Sequence, residues 1–390
     1  MTPVHARVSR PRALPSVILP FTLSIVISSL LISVSSLGGF DQSEKHEFRV
    51  GFEGNTSVYR WANGYRELMV PTFNSSREAR RSVVSGGLFS IVSFDNVPCN
   101  SDSKDVGTCY SNRECTNLGG TSSGICAGSF GTCCVVTATS GSTVTTNNTY
   151  FQNPDYPSTT SGPLSSSITV TPMTGATQLY IEFIAFSILG PSSGSCMNDT
   201  FTVRQSGSTS VFPIICGNNT GQAFYFPISG TGAISLSIIL SSGSDQALWK
   251  IRLVQFHSTD SCAAPTGCTQ YYQDSTGMFE TFNYNGGMGE LINNYCITAC
   301  FAVGSGNCGV LLTEGTFMLP GTAPNDCSMG DYLLVDSQKY CGDTLNNGML
   351  MVNKTMSPYV SVTICTGTSN PDMDLGLSLN YSPFPCGIAG

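Results

Sequence analysis

Cysteine, sequon asparagine and a few loop aspartates carry the chemical potential of this 390-residue sequence. Histidine is nearly absent, and His257 is the only one after residue 46. That scarcity argues against a Ser-His-Asp or Cys-His mechanism, because both need an imidazole to move the proton. Two stretches satisfy G-x-S-x-G, Gly120–Gly124 and Gly190–Gly194. A nucleophile elbow also needs a strand-to-helix turn and a histidine. The first stretch sits among cysteines, the second holds a proline, and Gly and Ser abound, so both read as chance matches. GSGNCG at 304–309 matches G-x-G-x-x-G, but no helix or βαβ unit follows to hold a nucleotide. No catalytic residue is assigned, and a non-enzyme is expected.

The cysteines have a different use. There are seventeen, with no C-x-x-C among them, so a disulfide framework outweighs zinc. Seventeen is odd, which leaves one thiol free or shared between chains in a disulfide-linked oligomer. Export is written into the first 38 residues. A basic start (His5, Arg7, Arg10, Arg12) precedes the apolar and serine run Val17–Val34, and Ser35, Ser36 and Gly38 follow. That is the order of a signal peptide. Its length also reaches the lower limit for a membrane span, so an uncleaved signal-anchor is the alternative. Either way the rest faces the extracellular side. Seven N-x-S/T sequons agree with export: Asn55, Asn74, Asn147, Asn198, Asn218, Asn353 and Asn380.

Only 11% of residues are charged, and the formal net charge is −8. Removal of residues 1–38 takes away three arginines and no acid, leaving 14 basic against 25 acidic residues and a net charge of −11. An acidic body of this kind argues against nucleic acid or anionic lipid as partner.

The elements that position these residues fall into five segments. Residues 1–38 are the leader. Residues 39–86 lack cysteine and read as a linker or pro-segment. The basic cluster there ends in Arg80 and Arg81, a proprotein-convertase target or else a solvated charge cluster. Residues 87–136 hold Cys99, Cys109, Cys115, Cys126, Cys133 and Cys134 among turn residues. So short a segment buries too little apolar area to fold unaided, and three bridges would supply the deficit. Adjacent Cys133 and Cys134 bond each other only with strain, so each is expected to reach back to a different partner.

From 137 onward short alternating segments dominate, among them Ile168/Val170, Leu179/Ile181/Phe183, Phe201/Val203, Ile234/Leu236/Ile238 and Trp249/Ile251/Leu253. A period of two bounded by Gly, Ser, Pro and Asn predicts half-buried antiparallel sheet, and its regular spacing a sandwich. The plan then repeats. Cys196-Met-Asn-Asp199 before TFTV is echoed by Cys327-Ser-Met-Gly-Asp331 before YLLV, and Cys216-Gly217 by Cys341-Gly342. Two sandwiches, at 137–257 and 258–390, are expected.

FQNPDYP at 151–157, the cysteine–aspartate–strand order and the Cys-Gly, with the repeat, resemble CUB domains, extracellular β-sandwich modules. The knot ending in Cys133-Cys134 resembles the clip domains of arthropod secreted proteins. The whole order is similar to arthropod secreted CUB proteins. The fold class expected is all-β: tandem CUB-like antiparallel sandwiches after a small disulfide-rich domain. The resemblance implies the pairs Cys196–Cys216 and Cys327–Cys341. The first copy has no further cysteine, whereas the second has seven: Cys262, Cys268, Cys296, Cys300, Cys308, Cys365 and Cys386.

Many CUB domains bind calcium through a glutamate, the aspartate after the cysteine, and a late-loop aspartate. The resemblance therefore nominates Asp199 and Asp245 in the first copy, and Asp331 with Asp372 or Asp374 in the second; the glutamate is missing from both. Turn aspartates satisfied by backbone amides are the competing reading. The function implied is non-catalytic recognition of an extracellular protein or glycan. The alternatives are a non-catalytic cofactor of an extracellular serine-protease cascade and a disulfide-linked matrix or cuticle component.

Overall fold

The structure is a computed structural model describing residues 93–390, except 210–211, 322–325, 329, 356, 369–373 and 388–390. Before residue 93 it describes only the backbone of short strand segments. The side chains of the leader and of Asn55, and the residues Asn74, Arg80, Arg81 and Asp372, therefore lie outside the described residues.

The cysteine-rich segment contributes β1 (Val106–Tyr110), the one-turn helix α1 (Asn112–Asn117), β2 (Thr121–Cys126) and β3 (Gly131–Ala138). A capping box starts α1. The Ser111 hydroxyl accepts the Glu114 N–H, and the Glu114 carboxylate accepts the Ser111 N–H. Bonds Cys109–Cys126 and Cys115–Cys134 cross this segment, and Cys99 and Cys133 are also disulfide-bonded.

The first sandwich adds β4 (Thr143–Val144), β5 (Thr149–Gln152), β6 (Leu164–Val170), β7 (Gln178–Ser187), β8 (Thr200–Gln205), β9 (Ala223–Pro227), β10 (Ile234–Leu240) and β11 (Leu248–Phe256). One sheet runs β9-β7-β11-β5 and the other β4-β6-β10-β8. Alternation explains the packing. In β10, Ile234, Leu236, Ile238 and Leu240 face the core while Ser235 and Ser237 face out. The other alternating residues read from the sequence in β6, β7, β8 and β11 are likewise buried. Phe183, Phe186, Phe201 and Phe224 form the aromatic centre, with ring centroids 4.4–6.5 Å apart.

The second sandwich comprises β12 (Gln270–Tyr272), β13 (Gly277–Glu280), β14 (Cys296–Ala302), β15 (Asn307–Met318), β16 (Tyr332–Val335), β17 (Gln338–Tyr340), β18 (Met349–Asn353), β19 (Tyr359–Cys365) and β20 (Gly376–Pro385). Its sheets are β12-β14-β19-β16-β17 and β13-β20-β15-β18. The molecule is thus all-β with tandem sandwiches. Pairing is antiparallel throughout both except at the entry strands: β4 runs parallel to β6 and β12 to β14.

Two joins go beyond a string of modules. First, β3 pairs parallel with β5, so the cysteine-rich segment continues the first sandwich's sheet. The Tyr150 hydroxyl accepts the Val106 N–H at 2.8 Å and donates to the Val106 carbonyl at 3.1 Å. Lys250 pairs with Asp105 at 2.7 Å. Within the same sheet, Arg252 of β11 is buried and ion-paired with Glu182 of β7 at 2.6 Å, which offsets its desolvation.

Second, the sandwiches are docked on each other. Phe282 of the second meets Phe212 and Phe224 of the first edge-on, at 6.2 and 6.1 Å. The Tyr225 N–H donates to the Thr269 carbonyl at 2.7 Å, and Gln178 exchanges two hydrogen bonds with the backbone of Ala264. One hydrophobic core runs through both.

Candidate binding surface

The two aspartates that follow a bonded cysteine are both fully buried, yet they differ in what they hold. In the first sandwich, one oxygen of Asp199 accepts the Leu189 N–H at 2.9 Å and the other the Ser241 N–H at 2.8 Å. The carboxylate ties two loops together. Asp245 is exposed, and its recorded bond is through the backbone carbonyl, to the Ser161 hydroxyl at 3.1 Å. Each Asp199 oxygen thus has a backbone donor, which satisfies its burial without a cation.

In the second sandwich, Asp331 Oδ1 accepts the Gly367 N–H at 3.1 Å, and Oδ2 is buried without a hydrogen-bond partner among the described residues. Burial pushes its carboxyl up to about 6; the Gly367 donor pulls it back, and the neighbouring Asp374 charge adds to the rise. A buried carboxylate oxygen with no donor is costly. Beside a second acid it fits an oxygen-seeking cation such as calcium, and Asp331 and Asp374 are the residues that would hold it. Among the described residues no cluster of three or more His, Cys, Asp or Glu gathers.

The disulfides brace these loops. Cys196 is bonded to Cys216 and Cys327 to Cys341, each beside its aspartate. The second sandwich adds Cys268–Cys300, Cys296–Cys365 and Cys308–Cys386. Cys262 is the one free thiol, half-buried and raised by burial.

The sequons fall into two groups. Asn198, Asn353 and Asn380 are exposed. Asn147 is pinned instead: its amide donates to the Gln255 carbonyl at 3.2 Å and accepts the Gln255 N–H at 2.7 Å. Asn218 is spent at the sandwich junction, its amide donating to Asn285 Oδ1 at 3.0 Å.

The motifs with catalytic overtones are occupied structurally. Ser122 and Ser123 lie in β2, and the Ser122 hydroxyl bonds Thr132. GSGNCG is the turn into β15, and Cys308 within it is bonded. His257 faces the Thr174 carbonyl at 3.1 Å and Asp260 at 3.5 Å.

Residues 265–383 match the Animal CUB domain family. This segment is similar to animal CUB domains. It spans β12 to β20 almost completely, with Asp331, Asp374 and the Cys327–Cys341 bond inside it. No curated protein matches the chain. Among solved structures, the CUB1-EGF-CUB2 domains of rat MASP-1 are 13% identical at a TM-score of 0.25, covering 63% of this chain and 99% of that one. The CUB1-EGF-CUB2 domain of human MASP-1/3 is 12% identical at 0.24, covering 60% and 98%. The full extracellular region of zebrafish Gpr126/Adgrg6 is 10% identical at 0.24, covering 62% and 35%. CUB domains are extracellular modules that bind proteins and typically carry no catalysis. None of the helices among the described residues is long and apolar enough to cross a membrane.

Two groups escaped the sequence reading. The junction residues Asn219 and Asn283 have no spacing signal, because their partners lie in the other sandwich. Arg204 alternates outward on β8 like any solvated residue, and only the structure places it beside the second sandwich.

Proposed function

We propose that the chain is a secreted, N-glycosylated, non-catalytic binding protein whose CUB domain recognises an extracellular partner protein through the loops around Asp331. The observation that carries this reading is the buried Asp331 oxygen without a donor, set beside Asp374. Calcium held there would supply charge neutralisation and fix the loops in one arrangement, lowering the entropy lost on binding. Asp331 positions the loop through Gly367 in either state. The cysteine-rich segment, clip-like in its cysteine order, extends the platform instead of acting alone, since its sheet is shared with the first sandwich.

The experiment is capture of partners from extracellular fluid on the immobilised, secreted full chain, in calcium and after chelation. Wild type in calcium is expected to retain a defined set of proteins. Chelation or Asp331→Ala should release that set, and Asp199→Ala should weaken retention less. Equal retention by wild type and Asp331→Ala would remove the loop from the interface. A regulatory place in a protease cascade would show as protease zymogens within the retained set. A matrix role would show as covalent multimers on non-reducing gels.

A further inference from the structure

The outer face of the sheet β13-β20-β15-β18 is set out in rows by its register. Met278, Asn380, Thr313 and Met349 stand directly opposite one another, one from each strand. The next row holds Ser382, Leu311 and Met351. Their neighbours in the chain Phe279, Tyr381, Leu312 and Leu350 are buried, which leaves these rows facing out. No charged residue stands in either row. Met278 is 56% exposed and Met349 55%, while Leu311 and Met351 are half-buried. Apolar side chains gathered on one uncharged face call for a cover.

The occupant is indicated by what stands in the middle. Asn380 begins the sequon Asn380-Tyr381-Ser382 and projects outward from the inner strand β20. Its side-chain amide makes no hydrogen bond among the described residues, unlike those of Asn147 and Asn218. The amide nitrogen, where a sugar would attach, lies 3.8 Å from the point a Cβ on Gly315 would occupy. Gly315 is exposed and sits at the bulge in β15, where the register slips between Glu314 and Thr316. The missing side chain leaves room over β15, so the attachment point leans towards β18 and away from β13. Met349 lies in that direction, two strands and about 10 Å from Asn380. That is within reach of the first two sugars. Pyranose rings carry a C–H face that buries apolar area, and a tethered ring loses little further freedom on docking. The second sandwich's other exposed sequon, Asn353, lies on the same sheet opposite Gly309, whereas Asp331 precedes β16 of the other sheet.

We propose that the first sugars of an Asn380-linked glycan lie across β15 onto Met349 and close this apolar face to proteins. The proposal rests on reading the chain as N-glycosylated, and adds the course of the glycan and what it covers. Partner binding is thereby left to other surfaces, among them the loops around Asp331.

The test is hydroxyl-radical footprinting of the full chain from a glycosylating host, with each methionine's oxidation rate read by peptide mass spectrometry. Met278 and Met349 are almost equally exposed in the polypeptide, so their ratio contains its own control. In glycosylated wild type Met349 is expected to oxidise on the order of threefold more slowly than Met278. Ser382→Ala removes the sequon but keeps Asn380, and Asn380→Gln removes the attachment point. In both variants the two rates should converge. Thr355→Ala, which strips the Asn353 sequon alone, should leave Met349 protected. Should a variant not be recovered, the wild-type ratio alone decides. Equal rates in wild type carrying glycan at Asn380, slower oxidation of Met278 than Met349, or protection that survives Ser382→Ala would overturn the proposal. Protection of both methionines that grows with protein concentration would make the face an interface between two copies instead. Asn380 bare while other sequons are occupied would overturn this inference and leave the glycoprotein reading standing; every sequon bare would overturn both.

Discussion

The Asn219 side-chain carbonyl accepts the backbone N–H of Asn283 at 2.7 Å, and both residues are more than nine-tenths buried. This bond crosses from the first sandwich to the second. Asn283 in turn accepts the Asn218 N–H at 2.9 Å and donates to the Glu290 carbonyl at 2.9 Å. With Phe282 packed alongside, the junction is a buried polar network inside a shared core, which favours one fixed arrangement over a hinge.

The two sandwiches are therefore expected to unfold together. Asn219→Ala leaves the Asn283 N–H buried without an acceptor, at a cost of about 1–3 kcal/mol. Phe282→Ala should cost more, about 3–5 kcal/mol. Calorimetric melting of the full chain should show one transition for both sandwiches in wild type, shifted down in these variants. Two resolved sandwich transitions in wild type would contradict the docked arrangement.

Glycan occupancy should divide along the sequons' surroundings. Asn198, Asn353 and Asn380 are expected to carry glycan, while Asn147 and Asn218 stay bare, because their amides hold Gln255 and Asn285. Enzymatic deglycosylation in heavy-oxygen water, read by peptide mass spectrometry, checks each site. Full occupancy of Asn218 would be incompatible with its hydrogen bond to Asn285.

The odd thiol is Cys262. Burial raises its pKa, so less thiolate is present at neutral pH than for an exposed cysteine. Iodoacetamide should modify Cys262 alone and slowly, faster as pH rises. A chain-to-chain disulfide lost on Cys262→Ser would instead show that this thiol is used for oligomerisation.

Stability should carry the mark of Asp331. Its carboxyl ionises near 6 in the folded chain and near about 3.9 unfolded. Between those values the folded state holds the extra proton, so this contribution is full below about pH 4 and lost as pH rises through 6. The loss is on the order of 2–3 kcal/mol. Glu280, also raised by burial, adds a change of the same sign in wild type and variant alike. Melting temperature against pH should fall less steeply over this window in Asp331→Asn than in wild type. Parallel curves would show that Asp331 ionises without penalty.

Much of the architecture was legible because alternation is local. Ile234, Leu236 and Ile238 announce both strand and buried face, and the cysteine–aspartate–strand order marks each sandwich. The parallel entry strands were not legible, since β4 and β12 are too short for pattern to fix direction. Nor was the continuation of β3 into the first sandwich's sheet, which rests on Tyr150 reaching Val106 across 44 residues. The aspartates were visible as residue types. Only hydrogen bonding separates Asp199, with a donor on each oxygen, from Asp331, with one oxygen bare.

That difference is what calcium titration by calorimetry measures on the full chain, comparing wild type with Asp331→Asn and Asp199→Asn. Wild type is expected to bind one calcium at millimolar concentration or below, Asp199→Asn to keep that binding while folded, and Asp331→Asn to lose it with its fold intact. No heat of binding in wild type at millimolar calcium, or equal binding by Asp331→Asn, would contradict a cation-ordered loop at Asp331.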